Sequence, residues 1–154
     1  MASDDLTAFE AWAGALLARL DPAARRRIAR DIGMGLRRRQ QQRIRAQRNP
    51  DGSPFEARKQ RLRGKRGAIR RRAMFQKLAT ARFLRVRTLA DAVAVGFFGR
   101  VARIARVHQY GLQDQVAPGG PRVRYPTRRL VGFSPGDSAF VRDALLRHLA
   151  GGDA

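Results

Sequence analysis

Apolar residues near the N-terminus recur every three or four positions, which is the spacing of one face of an α-helix. This pattern predicts a first amphipathic helix over residues 3–20. Asp21 and Pro22 predict the start of a second helix, because Asp caps helix N-termini and Pro suits the first helical position. Gly33 and Gly35 weaken the middle of that helix and leave open whether it continues or kinks.

The second helix is predicted to end before a dense turn, because the run from Arg48 to Pro54 is RNPDGSP. Asn-Pro moves the chain out of the helical region, and Asp-Gly supplies a position that favours positive φ. Residues 57–72 have no sustained apolar period and are nearly all cationic. We therefore divide this half of the chain into an N-terminal helical part, 3–48, and a basic loop or hairpin, 56–73.

The apolar period changes after the basic stretch and indicates strands as well as helices. Apolar residues over 74–78 predict a short helix, and residues 83–87 predict a strand. Large apolar side chains alternate over 91–99, which is the two-residue period of a half-buried strand. The two strands are therefore expected to form an antiparallel pair.

Helical spacing returns over residues 100–110, and Gly111 stands where a helix C-terminus favours a left-handed residue. Residues 112–122 are predicted to form a Pro/Gly-rich loop, and residues 129–133 a third strand. Ser134-Pro135 then predicts the N-terminus of a last helix, because Ser is a favoured cap.

These elements together predict an α+β fold with N-terminal helices, a small and mainly antiparallel sheet, and a C-terminal helix. We expect one domain over 1–154, because a chain of this length fits one domain and can bury a genuine core. The α+β part is placed at 74–150.

Charge changes this picture more than any other property of the composition. The chain has 33 Lys and Arg against 12 Asp and Glu, a formal charge of +21, although 44% of its residues are hydrophobic. Between Arg25 and Arg72 there are 19 basic and three acidic residues, so this third carries 16 of the 21 net charges. Most of the basic residues are Arg, which binds phosphate in a bidentate manner. A surface that faces phosphate explains this run better than a merely solvated one.

The chemistry of the remaining residues argues against catalysis. The chain has two His, no Cys and scattered acids, and none of them forms a recognisable catalytic motif. Gly64-Lys65-Arg66-Gly67 lacks the Ser or Thr that follows Lys in a phosphate-binding loop. We therefore predict no enzyme activity, no cofactor and no metal site. The N-terminus lacks an apolar signal core and no apolar run approaches membrane-spanning length, so we expect a protein that is soluble and cytoplasmic at synthesis, with no membrane partner.

The isolated His and aromatic residues have ordinary structural interpretations. His108 lies on the apolar stripe of its predicted helix, which favours a core or subunit-interface histidine over a metal ligand. Phe9, Trp12 and Phe75 each lie within an apolar period, so they are expected in the core rather than as platforms for base stacking.

Five sequence motifs in a fixed order are more specific than the hydrophobic and charge patterns described above. They are RRRQQQRIRAQRNPDGSPFEARK from Arg37, VGFFG from Val95, ARIARVHQYGL from Ala102, VRYPTRRLVGFS from Val123 and a C-terminal LLRHLA. In this order the motifs resemble the phage virion morphogenesis family over roughly residues 16–149.

The resemblance implies a structural protein at the head-proximal end of a tail or in the neck, with a tail-terminator-like fold. Such a protein would form a ring, expected to be hexameric, and would contact an adjacent neck or connector ring and the tail tube or sheath. It would be located in the virion, and in the host cytoplasm during assembly. The motif residues predicted to form subunit or partner contacts are His108, Gln109, Tyr110, Gly111, Tyr125, Arg128 and Arg129.

The resemblance and the charge pattern together suggest that the basic stretch projects into the ring and contacts phage DNA without reading its sequence. The candidate DNA-facing or lumen-facing residues are Arg58, Lys59, Arg61, Arg63, Lys65, Arg66, Arg70, Arg71 and Arg72. Two other classes stay open on the sequence: a free basic nucleic-acid-binding protein, and a capsid-assembly factor that acts only transiently.

Overall fold

The computed structural model describes residues 2–58, 73–90 and 92–150. In chain order the elements of these ranges are α1 (Ala2–Leu17), α2 (Pro22–Arg45), β1 (Leu84–Thr88), β2 (Val93–Phe97), α3 (Arg100–Tyr110), β3 (Gln113–Gln115), β4 (Arg122–Arg124) and α4 (Pro135–Leu149). The α+β class, the N-terminal helices and the C-terminal helix are confirmed. Most of the basic loop or hairpin, residues 59–72, lies outside the described ranges.

Helix α2 is the central element of the fold. It begins as predicted, with the Asp21 carboxylate accepting a hydrogen bond from the Ala24 amide at 2.9 Å, and it continues without a break for 24 residues. Gly33 and Gly35 do not kink it. A Cβ at Gly33 would lie 2.5 Å from Val93, and one at Gly35 would overlap the ring of Phe140. The two glycines therefore allow the strands and α4 to pack directly on the helix backbone.

Two apolar clusters form at different levels of α2. The first cluster joins the N-terminal half of α2 to α4 and consists of Ile28, Ile32, Leu36, Val141, Ala144 and Leu145. Helix α1 packs against it through Phe9, Ala13 and Leu17. The second cluster lies around Ile44 near the C-terminus of α2 and also contains Phe55, Met74, Ala79, Leu84, Ala105 and Leu130. The two ends of α2 thus carry different parts of the molecule.

The strands form two separate antiparallel pairs among the described residues, not one small sheet. β1 pairs with β2 as predicted, with Leu84 opposite Phe97. β3 lies inside the stretch 112–122 that was predicted to be a loop, and it pairs with β4, which begins at the end of that stretch. The Gly120 amide closes their turn on the Ala117 carbonyl at 2.8 Å. This second hairpin was not predicted.

The third strand predicted over residues 129–133 is wrong. Its backbone groups are bound by side chains of distant residues instead of a neighbouring strand. Gln40 donates to the Gly132 carbonyl at 2.9 Å, and Asn49 accepts from the Arg129 amide at 2.8 Å. Because these backbone groups are already bonded, the segment has no need of a strand partner.

The short helix predicted over residues 74–78 is also wrong. Phe75 has φ of 63°, a left-handed conformation that a right-handed helix excludes. The Gln47 side chain accepts from the Met74 amide at 2.7 Å and donates to its carbonyl at 2.9 Å. These bonds hold the segment in a series of turns.

Helix α1 ends at Leu17, three residues earlier than predicted, and it is less buried than its apolar pattern predicts. Trp12, expected in the core, is 37% exposed and contacts Phe9 with 5.8 Å between ring centroids. Among the described residues, no helix combines the length and the apolar character needed to span a membrane.

Candidate functional site

The predicted interface motifs come together at the C-terminal end of α3. The Arg128 amide donates to the His108 carbonyl at 2.7 Å. The Gln109 side chain brackets Val131, accepting from its amide at 3.1 Å and donating to its carbonyl at 2.8 Å. Two motifs some 20 residues apart in sequence therefore form one structural unit.

Gly111 allows these two motifs to approach each other. It ends α3 in the left-handed conformation, with φ of 61°. A Cβ at this position would lie 2.5 Å from the Thr127 hydroxyl and 3.1 Å from the Tyr125 carbonyl oxygen. The prediction of a helix-ending glycine is confirmed, and the glycine has a second role in packing.

Arg128 ties this unit to the start of the basic stretch. Its side chain is only 4% exposed, and its Nε donates to the Glu56 carbonyl at 2.7 Å. Its Nη2 donates to the Ala57 carbonyl at 3.1 Å. Burial lowers the pKa of this guanidinium from its ordinary value. Arg128 thus fixes the position from which the cationic chain departs.

The seven predicted interface residues differ in whether their side chains are free to contact a partner. Tyr110 is 66% exposed, and Arg129 is also exposed while its backbone binds Asn49. The motif side chains of Gln109 and Arg128 are engaged within the chain. A contact with another subunit remains a prediction for all seven.

Asp137 is a buried ionic centre that the sequence interpretation missed. It is 1% exposed, and its oxygens accept from Arg39 at 2.6 Å and from Arg43 at 2.9 Å. It also completes a capping box with Ser134 at the start of α4. Burial opposes its ionisation, but the hydrogen bonds from Arg39, Ser134 and Arg43 prevail and hold the pKa of this carboxyl below its ordinary value. The signal was present in the sequence as Ser134 followed by an acid three residues later.

An open cleft of about 500 Å³ lies beside this unit, between the β3–β4 hairpin and the turn at Phe75. The His108 ring forms part of its floor, with edge-on centroid distances of 4.8 Å to Phe75 and 4.9 Å to Tyr125. The lining residues are Arg58, Met74, Phe75, His108, Val116, Val123, Arg124, Tyr125, Pro126 and Arg128. The cleft therefore combines aromatic and aliphatic surface with three guanidinium groups.

His108 contributes no charge to the cleft near neutral pH. Burial, with smaller contributions from Arg128 and Arg58, lowers its pKa to about 4. Its Nδ1 lies 3.5 Å from Nη1 of Arg128. The prediction of a core or interface histidine agrees with this half-buried, aromatic setting. Within the described ranges, no group of three or more His, Asp or Glu is arranged to hold a metal ion.

Exposed basic residues are also found outside the predicted basic stretch. Of the nine candidate DNA-facing residues, Arg58 is described, and it is exposed at the cleft. The other eight, Lys59, Arg61, Arg63, Lys65, Arg66, Arg70, Arg71 and Arg72, lie outside the described residues. The exposed side of α2 adds a second set, which the sequence interpretation counted but did not place: Arg26, Arg27, Arg30, Arg38 and Arg45.

Comparison with known proteins accounts for nearly the whole chain. The model of the phage virion morphogenesis family matches residues 4–150. The chain is 38% identical over 143 residues to a protein of Escherichia phage P2 named Tail completion protein S, covering 92% of this chain and 95% of the relative. No solved structure matches. The match contains every motif that forms the unit around α3, and the chain belongs to the phage virion morphogenesis family.

Proposed function

We propose that this protein completes the phage tail and joins it to the head, as a ring in the neck through which DNA passes. The observation that carries the proposal is the near full-length similarity to Tail completion protein S of phage P2. The family description, virion morphogenesis, fits a structural component. In this proposal the protein acts in the virion tail or neck and is assembled in the host cytoplasm.

The distribution of charge supports a ring. A net charge of +21 on one 154-residue chain strongly repels itself unless a polyanion is close. Symmetric association can direct such cationic surfaces toward a common axis. Phosphate groups of passing DNA would then neutralise the basic stretch, which departs from the position that Arg128 fixes. Six subunits are our proposal for the ring, with an adjacent connector ring and the tail tube or sheath as neighbours.

Deletion of the gene from the phage or prophage that encodes this chain tests the role. We expect electron micrographs of lysates to show filled heads beside unjoined tails, and complementation with the wild-type gene to restore joined particles. Normal infectious particles without the protein would overturn the proposal.

The same lysates separate the competing classes. A neck component should remain in purified particles, where mass spectrometry detects it in a fixed ratio to other tail proteins. A transient capsid-assembly factor would be absent from finished particles. A free nucleic-acid-binding protein would be dispensable for joining heads to tails.

A further inference from the structure

Helix α1 differs in charge from the rest of the chain. Residues 1–18 contain three acids and no Lys or Arg, in a protein of net charge +21. The three acids, Asp4, Asp5 and Glu10, are exposed. An acidic helix on a cationic protein is electrostatically complementary to the surfaces of its own copies.

The apolar face of α1 is also incompletely buried. Phe9, Ala13 and Leu17 pack on the core, but Leu6 is 39% exposed and Trp12 is 37% exposed. Exposed Trp is a frequent anchor of protein interfaces. The part of α1 from Asp4 to Trp12 therefore presents large apolar side chains beside carboxylates.

The cleft beside α3 presents the matching chemistry. Its apolar walls include Phe75, Val123 and Tyr125, and none of the described residues that line it is acidic. Arg58 and Arg124 are exposed there, and Arg124 donates one long bond of 3.4 Å to the Gly111 carbonyl. Arg128 is buried and donates to the carbonyls of Glu56 and Ala57. A partner that carries apolar side chains and carboxylates together would satisfy both parts of this surface.

The two surfaces adjoin different clusters along α2. Helix α1 packs against the cluster that contains Ile28 and Leu36, and the cleft adjoins the cluster that contains Ile44. Eight to sixteen residues of continuous helix separate the two clusters, which is about 12–24 Å at 1.5 Å per residue. The part of α1 from Asp4 to Trp12 is thus better placed to reach the cleft of a second copy than that of its own chain.

We propose that α1 of one copy docks in the cleft of the next copy, with Trp12 and Leu6 against the apolar wall and its carboxylates facing Arg58 and Arg124. Contact between two different surfaces is heterologous, and it closes into a ring when the rotation allows. This inference rests on the proposed ring and identifies the contact that would build it. It also assigns a role to the cleft, in which the predicted interface residues His108 and Tyr125 lie.

Cysteine cross-linking tests the contact directly, because the native chain has no Cys. Full-length Trp12→Cys and Val123→Cys chains, tagged to differ in mass, are mixed and oxidised. We expect at least fivefold more disulfide-linked heterodimer than from the matched pair Trp12→Cys and Arg142→Cys, since Arg142 is exposed on α4 away from the cleft lining. Equal yields from the two pairs would overturn the docking.

Charge exchange gives a second and independent test. We expect Asp4→Arg/Asp5→Arg/Glu10→Arg, and separately Arg58→Glu/Arg124→Glu, to lower the assembled fraction in light scattering at least tenfold. The two sets combined in one chain should restore assembly. All five side chains are exposed, so circular dichroism of the variants should stay native.

The outcomes distinguish this inference from the proposed function. If both charge variants assemble normally, the docking is wrong and the ring stands on another contact. If Arg58→Glu/Arg124→Glu weakens DNA binding but leaves assembly unchanged, the cleft binds nucleic acid and the docking is overturned. If the wild-type chain stays monomeric even with purified tails added, the ring itself fails along with the docking.

Discussion

Asp137 connects α2 to α4 through one buried carboxylate. Arg39 and Arg43 approach it from α2, and Ser134 shares a capping box with it. Removing the negative charge leaves cationic groups without their partner, and breaking a buried pair is costly even when the pair itself contributes little. We expect Asp137→Asn to lower the free energy of unfolding by about 3 kcal/mol. Urea denaturation measures this.

The matched control is Asp143→Asn on the same helix. Asp143 is exposed and lies 3.8 Å from Arg142, so its loss should change stability by less than about 0.5 kcal/mol. Equal effects of the two substitutions would show that the buried carboxylate has no special structural role.

His108 makes stability depend on pH in a defined window. Its pKa is lowered from 6.5 to about 4, so between these values the unfolded chain binds a proton that the folded chain does not. Stability should therefore rise with pH from about 4 to 6.5, with a total gain of roughly 2 kcal/mol for a half-buried ring. Unfolding of wild type and His108→Gln at pH 4.5 and 7 checks this. The variant should lose most of the difference in unfolding free energy between the two pH values. If that difference is unchanged in the variant, groups other than His108 cause it.

At the scale of whole elements, replacing a glycine by Ala should change stability in opposite directions in α1 and α2. A Cβ at Gly35 of α2 would overlap the Phe140 ring, whereas one at Gly14 of α1 meets no atom within 4 Å. We expect Gly14→Ala to raise stability by up to about 1 kcal/mol through helix propensity. Gly35→Ala should lower stability by about 1–3 kcal/mol through overpacking. Thermal unfolding of both variants tests this, and stabilisation by Gly35→Ala would mean that α4 moves away at little cost.

Elements with local signals were predictable from the sequence. Asp21, Gly111 and Ser134 each mark a helix boundary because a cap depends on the few residues around it. The pairing of β1 with β2 followed from their alternating apolar residues and closeness in sequence.

Elements that depend on distant partners were not predictable. Residues 129–133 have the composition of a strand, but Gln40 and Asn49 bind their backbone from 80 to 92 residues away. Trp12 has core-like spacing, but it stays 37% exposed while Phe9 and Ala13 on either side of it pack on the core. At the candidate site, the structure brings the motifs around His108 and Arg128 together, while their role as an interface stays a prediction. Their bonds within the chain, and the role of Asp137, required the tertiary structure.

At the scale of the whole molecule, the two halves of α2 contact regions of different charge. Its N-terminal half holds the acidic α1 against α4, and its C-terminal end holds the unit from which the basic stretch departs. Cationic residues outside that stretch lie on the exposed side of α2. Two sets of basic residues, those of the basic stretch and those on α2, are therefore candidates for binding a polyanion, and a measurement of total affinity would not separate them.

The salt dependence of DNA binding distinguishes between the two sets of basic residues. Replacing the nine basic residues of the set from Arg58 to Arg72 by Gln should reduce the slope of log K against log salt for duplex DNA, by about 0.9 for each phosphate that the variant no longer neutralises. Replacing Arg26, Arg27, Arg30, Arg38 and Arg45 by Gln is the matched control on the described surface. If the basic stretch faces DNA, the first variant should show a greater reduction of slope per charge than the second, and equally on two unrelated DNA sequences. A greater reduction per charge in the α2 variant would place DNA along the helix, and the basic stretch would then be free to bind an acidic neighbour in the neck.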